Sequence, residues 1–93
     1  MFEWDENKRI RNIKKHGVDF ILAAGVFSNP VLEVIDERND YGEVRIRALG
    51  VIKGHYLTVV YTWRGNTRRI ISAWKVGQNG KRKYQKVFGA RAS

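Results

Sequence analysis

The strongest constraint on this chain is residues 44–75, VRIRALGVIKGHYLTVVYTWRGNTRRIISAWK, where three apolar-rich runs are separated by two short glycine turns. Residues 57–63 are rich in Val, Thr, Tyr and Trp, side chains that fit a pleated, half-buried surface, and predict a strand. Gly65-Asn66 follows, a two-residue hairpin signal, because glycine reaches positive φ without a Cβ clash. Residues 68–74 predict the returning strand. Lys53-Gly54 is a weaker signal of the same kind and joins residues 44–52 to His55. A three-stranded antiparallel meander follows.

These loops set a register. Across the first, Arg64 faces Thr67, Thr62 faces Arg69, Tyr61 faces Ile70 and Val60 faces Ile71. Across the second, Ile52 faces His55, Arg47 faces Val60, Ile46 faces Tyr61 and Arg45 faces Thr62. Side chains alternate along a strand. One face therefore carries Ile46, Ala48, Val59, Tyr61 and Ile70 and reads as the core face. The other carries Arg45 and Arg47 beside Val60 and Thr62, with Arg69 and Ile71 beyond. Three arginines from two strands converge there, provided neither turn slips.

The rest of the chain supplies helices. Residues 2–4 predict a short strand and Asp5 an N-cap, with Glu6 suited to the positive helix end. The helix runs over 6–16 with Ile10 and Ile13 inward, and Gly17 supplies the left-handed stop. Asp19 caps a second, buried helix over 20–27, which ends before Pro30. Residues 31–35 predict a strand, 36–43 an acidic turn-rich loop and 77–80 a turn. Residues 81–88 predict a short basic helix with Tyr84, Val87 and Phe88 inward. Residues 89–93 predict a frayed tail. The expected order is β-α-α-β-β-β-β-α, an α+β fold: a twisted antiparallel β-sheet, two N-terminal helices on its apolar face, a short C-terminal helix, and a second face left partly open. Ninety-three residues fit a single domain, 1–93.

Charge narrows the function. The net +9 is regional. Residues 1–40 hold six Lys/Arg against eight Asp/Glu, a balance of −2. Residues 41–93 hold twelve against one, Glu43, a balance of +11. A basic half interleaved with aromatics points to nucleic acid or an acidic protein partner. The chain has no cysteine, which excludes disulfides and thiolate metal sites. With only two histidines no zinc site is expected, and no metal or other cofactor. No apolar run is long enough to span a bilayer, and the opening residues do not make a signal peptide. A soluble, cytoplasmic protein without membrane contact is the expectation.

An ordered string of residues then carries a resemblance. Phe2-Glu3-Trp4-Asp5, Asn7-Lys8, Asn12, Lys15-His16-Gly17-Val18 and Phe20 open it. Ala23-Ala24, Val26-Phe27, Asn29-Pro30, Asp36, Gly42-Glu43 and Arg45 continue it. Gly50, Val59-Val60-Tyr61-Thr62, Arg64 and Arg69-Ile70-Ile71-Ser72-Ala73 complete it. Over roughly residues 2–75 the chain resembles the BrnT family, bacterial toxins of type II toxin–antitoxin systems. The resemblance implies a RelE-like fold and metal-independent endoribonuclease (hydrolase) activity that inhibits translation. It further implies neutralisation by a BrnA-type ribbon-helix-helix antitoxin, with operator DNA reached only through that antitoxin. The chain departs from the family pattern in three places. Asn39 stands where a histidine is usual, Trp74 stands where an arginine is usual, and no glutamate precedes the basic segment Lys81-Arg82-Lys83-Tyr84.

Metal-free RNA cleavage needs a base for the 2′-hydroxyl, cations for the phosphorane and an acid for the leaving oxygen. Arg45, Arg47 and Arg69 suit the cationic role, since the guanidinium fork matches phosphate oxygens; otherwise they are ordinary solvated strand residues, or bind the antitoxin's acidic side chains. His16 serves as base or acid, or only caps its helix. Tyr84 is an acid, a stacking platform or a core residue. RNA contacts are expected from Lys14, Lys15, Arg64, Trp74, Lys75, Arg82 and Lys83, with Trp74 stacking on a base or filling an interface. Glu43 acts as base or pairs with an arginine. The alternative expectation is a non-catalytic or degenerate module that binds antitoxin or nucleic acid through the same surface.

Overall fold

Both glycine turns close where the spacing puts them. Lys53 and Gly54 have φ of 49° and 77°, and Gly65 has φ of 59°, the left-handed conformations that two-residue hairpin loops require. In the computed structural model, which describes residues 1–89, they join β3 (Ile46–Ile52), β4 (His55–Arg64) and β5 (Thr67–Lys75). Two short strands flank the meander. β2 (Leu32–Ile35) pairs antiparallel with β3, and β1 (Phe2–Trp4) pairs with β5. The sheet order is β1-β5-β4-β3-β2. The β1–β5 pair is parallel, so the sheet is mixed rather than wholly antiparallel. The α+β class and the element order are as expected. The expected frayed tail lies, from residue 90 on, outside the described residues.

The register agrees with the loops over most of its length. Arg64 faces Thr67, Thr62 faces Arg69 and Tyr61 faces Ile70; Ile52 faces His55, Arg47 faces Val60 and Ile46 faces Tyr61. It departs at one point. A bulge between Val60 and Tyr61 sets Val60 opposite Ser72 instead of Ile71. Ile71 becomes the extra residue, and every β5 side chain after it changes face. Ala73 thus turns into the core and Trp74 turns out.

α1 (Glu6–His16) has the predicted ends: Asp5 accepts from the Asn7 and Lys8 amides, and Gly17 closes the helix at φ 70°. Its buried residue is not an isoleucine. Ile10 and Ile13 are 42% and 38% exposed, while Asn12 is buried. The Asn12 amide donates to Val18 O at 2.9 Å and Ala73 O at 2.8 Å, and its oxygen accepts from Ala73 N at 3.2 Å. The helix is therefore fixed to β5 by a polar anchor. The apolar segment after Asp19 splits into α2 (Phe20–Ala24) and a 3₁₀ turn (Gly25–Ser28). Phe20, Ala23 and Val26 from it meet Leu57, Val59, Ile70 and Ala73 in the main core, but Ile21 points to solvent.

The opposite sheet face, called outer below, is partly covered. α3 (Gln78–Phe88) begins within the expected GQNG turn and docks through Tyr84, its one buried residue. Tyr84 packs on Val51 and Tyr56 and donates its hydroxyl to Pro30 O at 2.7 Å. Phe88 joins it, whereas Val87, expected inward, is 59% exposed.

Candidate functional site

The acidic loop organises the outer face. On leaving β2 the chain reaches Asp36, whose amide donates to Arg45 O at 2.7 Å and closes the loop against the start of β3. The Asp36 carboxylate is buried. It accepts a forked pair from Arg38, Nε at 2.7 Å and Nη2 at 2.8 Å, and the Tyr41 hydroxyl at 3.2 Å. Arg47 Nε lies 3.8 Å away, an ion pair without a hydrogen bond. The Arg38 contact holds the Asp36 carboxyl well below the usual carboxylate range. Asp36 is thus ionised whenever the protein is folded near neutral pH; it fixes the Arg38 guanidinium in place and attracts that of Arg47.

A second carboxylate works beside it. Glu43 accepts from Arg45 Nε at 3.1 Å and lies 3.6 Å from Arg64 Nη2, while the Arg45 guanidinium sits 4.1 Å from the centre of the Tyr41 ring. Glu43 is therefore an ion-pairing residue here. Arg69, beside Thr62 on β5, is bound to Glu3 of β1 at 2.7 Å. Arg47 and Arg69 flank β4 in the expected register, Arg45 lies one residue before β3, and each has a carboxylate partner.

Arg38 joins this cluster to a neighbouring depression. Its guanidinium lies 5.3 Å from the Trp74 ring centre, and the His16 ring lies 6.0 Å from Trp74 on a tilted plane. Lys15, His16, Arg38, Trp74 and Lys75 line a concavity of about 550 Å³ at the β5 edge. Its existence depends on the bulge, because strict alternation would have buried Trp74. Lys15 and Lys75 make no ion pair among the described residues, and both are free to meet an added anion.

Other expected residues lie elsewhere. Tyr84 is fully buried on the inner side of α3, packed on Val51 and Tyr56 with its hydroxyl donating to Pro30 O. Arg82 and Lys83 are exposed on α3, and Lys83 borders a different groove. Lys14 is exposed on α1, and Arg64 sits at the hairpin rim. Two residues of the site are not marked as functional by the sequence pattern. Asp36 and Arg38 sat in a loop taken as acidic and turn-rich; the signal was a lone arginine two residues from an aspartate, a spacing that lets the side chains fork. Arg68 was also missed. It turns to the inner face and lies over Phe27, Trp63 and Tyr61, at 4.2, 4.6 and 5.2 Å, sealing that end of the core by cation–π contact. Burial, then the hydrogen bond from its hydroxyl to Glu33, raise the Tyr61 phenol above its ordinary range.

Among the described residues no three His, Asp or Glu side chains gather in a metal-binding group, and no helix is long and apolar enough to cross a membrane. A family model described as ribonuclease toxin, BrnT, of type II toxin-antitoxin system matches residues 4–79. No curated protein matches the chain.

Proposed function

Because the chain belongs to the BrnT family of ribonuclease toxins of type II toxin–antitoxin systems, we propose that it is a metal-independent endoribonuclease that inhibits translation in the cytoplasm until a BrnA-type ribbon-helix-helix antitoxin neutralises it. Family membership carries the ribonuclease and toxin–antitoxin parts, and with them an RNA substrate and an antitoxin partner. One observation carries the location. Cationic side chains from β3, β5, α1 and the 36–43 loop lie along one stretch of the outer face, joined through Arg38. Operator DNA is reached through the antitoxin.

The chemistry is assigned as follows. A scissile phosphate lies against Arg45, Arg47 and Arg69, whose guanidinium forks stabilise charge that grows on its oxygens. Asp36 and Glu43 hold two of these forks before substrate arrives, so little ordering remains when the phosphate binds. His16 takes the proton from the 2′-hydroxyl while water gives one to the departing 5′-oxygen, or gives that proton while water takes the other, its ring placed by Trp74. The 2′-oxygen bonds to phosphorus, the bond to the 5′-oxygen breaks, and a cyclic phosphate remains on the upstream fragment. Lys15 and Lys75 contact adjacent phosphates, and Trp74 offers its ring to a base.

A second reading is favoured by one observation: Arg45, Arg47, Arg64 and Arg69 are all carboxylate-paired. In that reading the face only binds. Cleavage of RNA by the purified protein in EDTA, against Arg45→Ala/Arg69→Ala, separates the two. Cuts that vanish in the folded double variant support the nuclease and its site. Salt-dependent RNA binding without cuts supports the binding module. Cuts retained by the double variant overturn the proposed site.

A further inference from the structure

The cations of α1 are sorted. Residues 1–40 hold six Lys/Arg, and five of them, Lys8, Arg9, Arg11, Lys14 and Lys15, lie on this one helix. Arg9 takes the acids: it pairs with Glu6 and, at 3.0 Å, with Asp19. Lys8, Arg11 and Lys15 make no ion pair among the described residues. The other acids at this end of the chain are committed elsewhere. Asp5 caps the helix through the Asn7 and Lys8 amides, and Glu3 accepts from Arg69. Positions 8, 11 and 15 are three and four residues apart, so they form one row along the helix.

The row borders a groove. β1 stops opposite Ile70, so the edge of β5 from Ile71 onward is left to α1, which Asn12 anchors there. Between helix and edge lies a depression of about 290 Å³, lined by Lys8, Arg11, Lys15 and His16 from α1 and by Ile71 and Ser72 from β5. Lys15 and His16 also line the Trp74 concavity, so the two depressions adjoin. Neither lining contains an Asp or a Glu. A cleft whose walls carry a single sign concentrates the opposite charge. Along the helix axis the row steps by about 4.5 and then about 6 Å. These steps exceed the rise of about 3.4 Å per nucleotide in a stacked strand. They fit a strand whose bases are drawn apart, the state that stacking on Trp74 requires. A protein segment fits less well, because Ile71 is the one apolar side chain in the lining and protein interfaces are anchored by buried apolar groups.

We propose that the α1–β5 groove is a second RNA subsite: single-stranded RNA with a base at Trp74 continues past Lys15 along α1, and its next two phosphates meet Arg11 and Lys8. This rests on the proposed RNA substrate and deepens it, by assigning the direction in which the strand leaves the site.

The test uses the intact protein and a single-stranded RNA made uncleavable by 2′-O-methyl groups. Lys8→Ala/Arg11→Ala removes two unpaired cations, half-buried and exposed, and alanine suits a helix, so the fold tolerates it. Arg82→Ala/Lys86→Ala removes the same charge from exposed positions of α3. Each phosphate contact adds about 0.7 to the slope of log affinity against log salt for a single strand. The α1 variant is therefore expected to flatten that slope by about 1.4, and the α3 variant to leave it unchanged. Removing about two nucleotides from one end of the RNA is expected to flatten the native slope equally and to leave that of the α1 variant unmoved. A native slope in the α1 variant, an equal flattening by the α3 variant, or equal sensitivity of native protein and α1 variant to RNA shortened at either end would each overturn the subsite. So would native RNA binding by the α1 variant alongside lost binding of polyglutamate, which would give the groove to an acidic protein. Native protein that binds no RNA removes the RNA reading together with the groove. Native protein that cuts RNA, with an unchanged slope in the α1 variant, removes the groove alone.

Discussion

Replacing Tyr84 by phenylalanine distinguishes a residue that acts on RNA from one that holds α3 in place. The hydroxyl is buried and donates to Pro30 O at 2.7 Å. Removing it costs the hydrogen bond to Pro30 O and leaves the ring packing intact, about 1 kcal/mol. Unfolding entropy near 2.1 cal/mol/K per residue amounts to about 0.2 kcal/mol/K for a chain of this length, so the melting temperature should fall by about 5 °C. Tyr84→Ala removes the ring from Val51, Tyr56 and Phe88 as well, about 3–5 kcal/mol, or about 15–25 °C. Because Tyr84 is the one buried residue of α3, this variant should also free the helix, seen as rapid amide exchange confined to residues 78–88. The assay pairs a thermal melt with RNA cleavage measured well below the melting temperature. Tyr84→Phe should cleave at the native rate. A fall in cleavage of ten-fold or more with an unmoved melting temperature would refute the structural role and return Tyr84 to the reaction.

Three further expectations follow from buried groups. Asp36→Asn should lose about 1–2 kcal/mol at pH 7, the low end for a broken ion pair because Arg38 is half-exposed. Since folding lowers the Asp36 pKa, that stability is present above the unfolded value of about 4 and lost as pH falls through and below it, so stability measured between pH 6 and 3 should vary less with pH for Asp36→Asn. Gly50→Ala would bring a Cβ within 2.8 Å of Val26 Cβ and 3.1 Å of Val31 Cγ1, and should cost about 1–3 kcal/mol by thermal melt. Asn12→Ala leaves buried backbone groups of Val18 and Ala73 without these partners and should lower stability by about 3 kcal/mol in denaturant titration.

The meander was legible because its turns are local: two glycine pairs fixed the loops, and alternation then fixed the faces as far as Tyr61. The bulge was not legible. Ile71 and Ser72 suit either register, and what chooses between them is the fit of Ala73, with Asn12 bonded to its backbone, against α1. That choice carried Trp74 to the outer face and made a site where alternation would have put a core residue. The parallel pairing of β1 was equally hidden, because nothing near Phe2 names a partner more than sixty residues away. The arginines of the strands were found by counting. Arg38 was missed because loops have no period to count, and only the buried Asp36 beside it reveals its direction.

The pairing of the first strand with the last sets an order of events during folding. Phe2–Trp4 has no strand to join until Arg68–Ile70 exists, and Asn12 has no strand to anchor to until Ala73 does. Contacts this distant in sequence are slow to form, since loop closure precedes their reward. While the chain is being made, its beginning waits unpaired and α1 has no seat, even after the central hairpins have closed. The Arg69–Glu3 ion pair and the approach of His16 to Trp74 both belong to that final closure. A half-made molecule therefore holds the cations of β3 without the α1 side of the site, and the assembled surface is the last thing the polypeptide acquires.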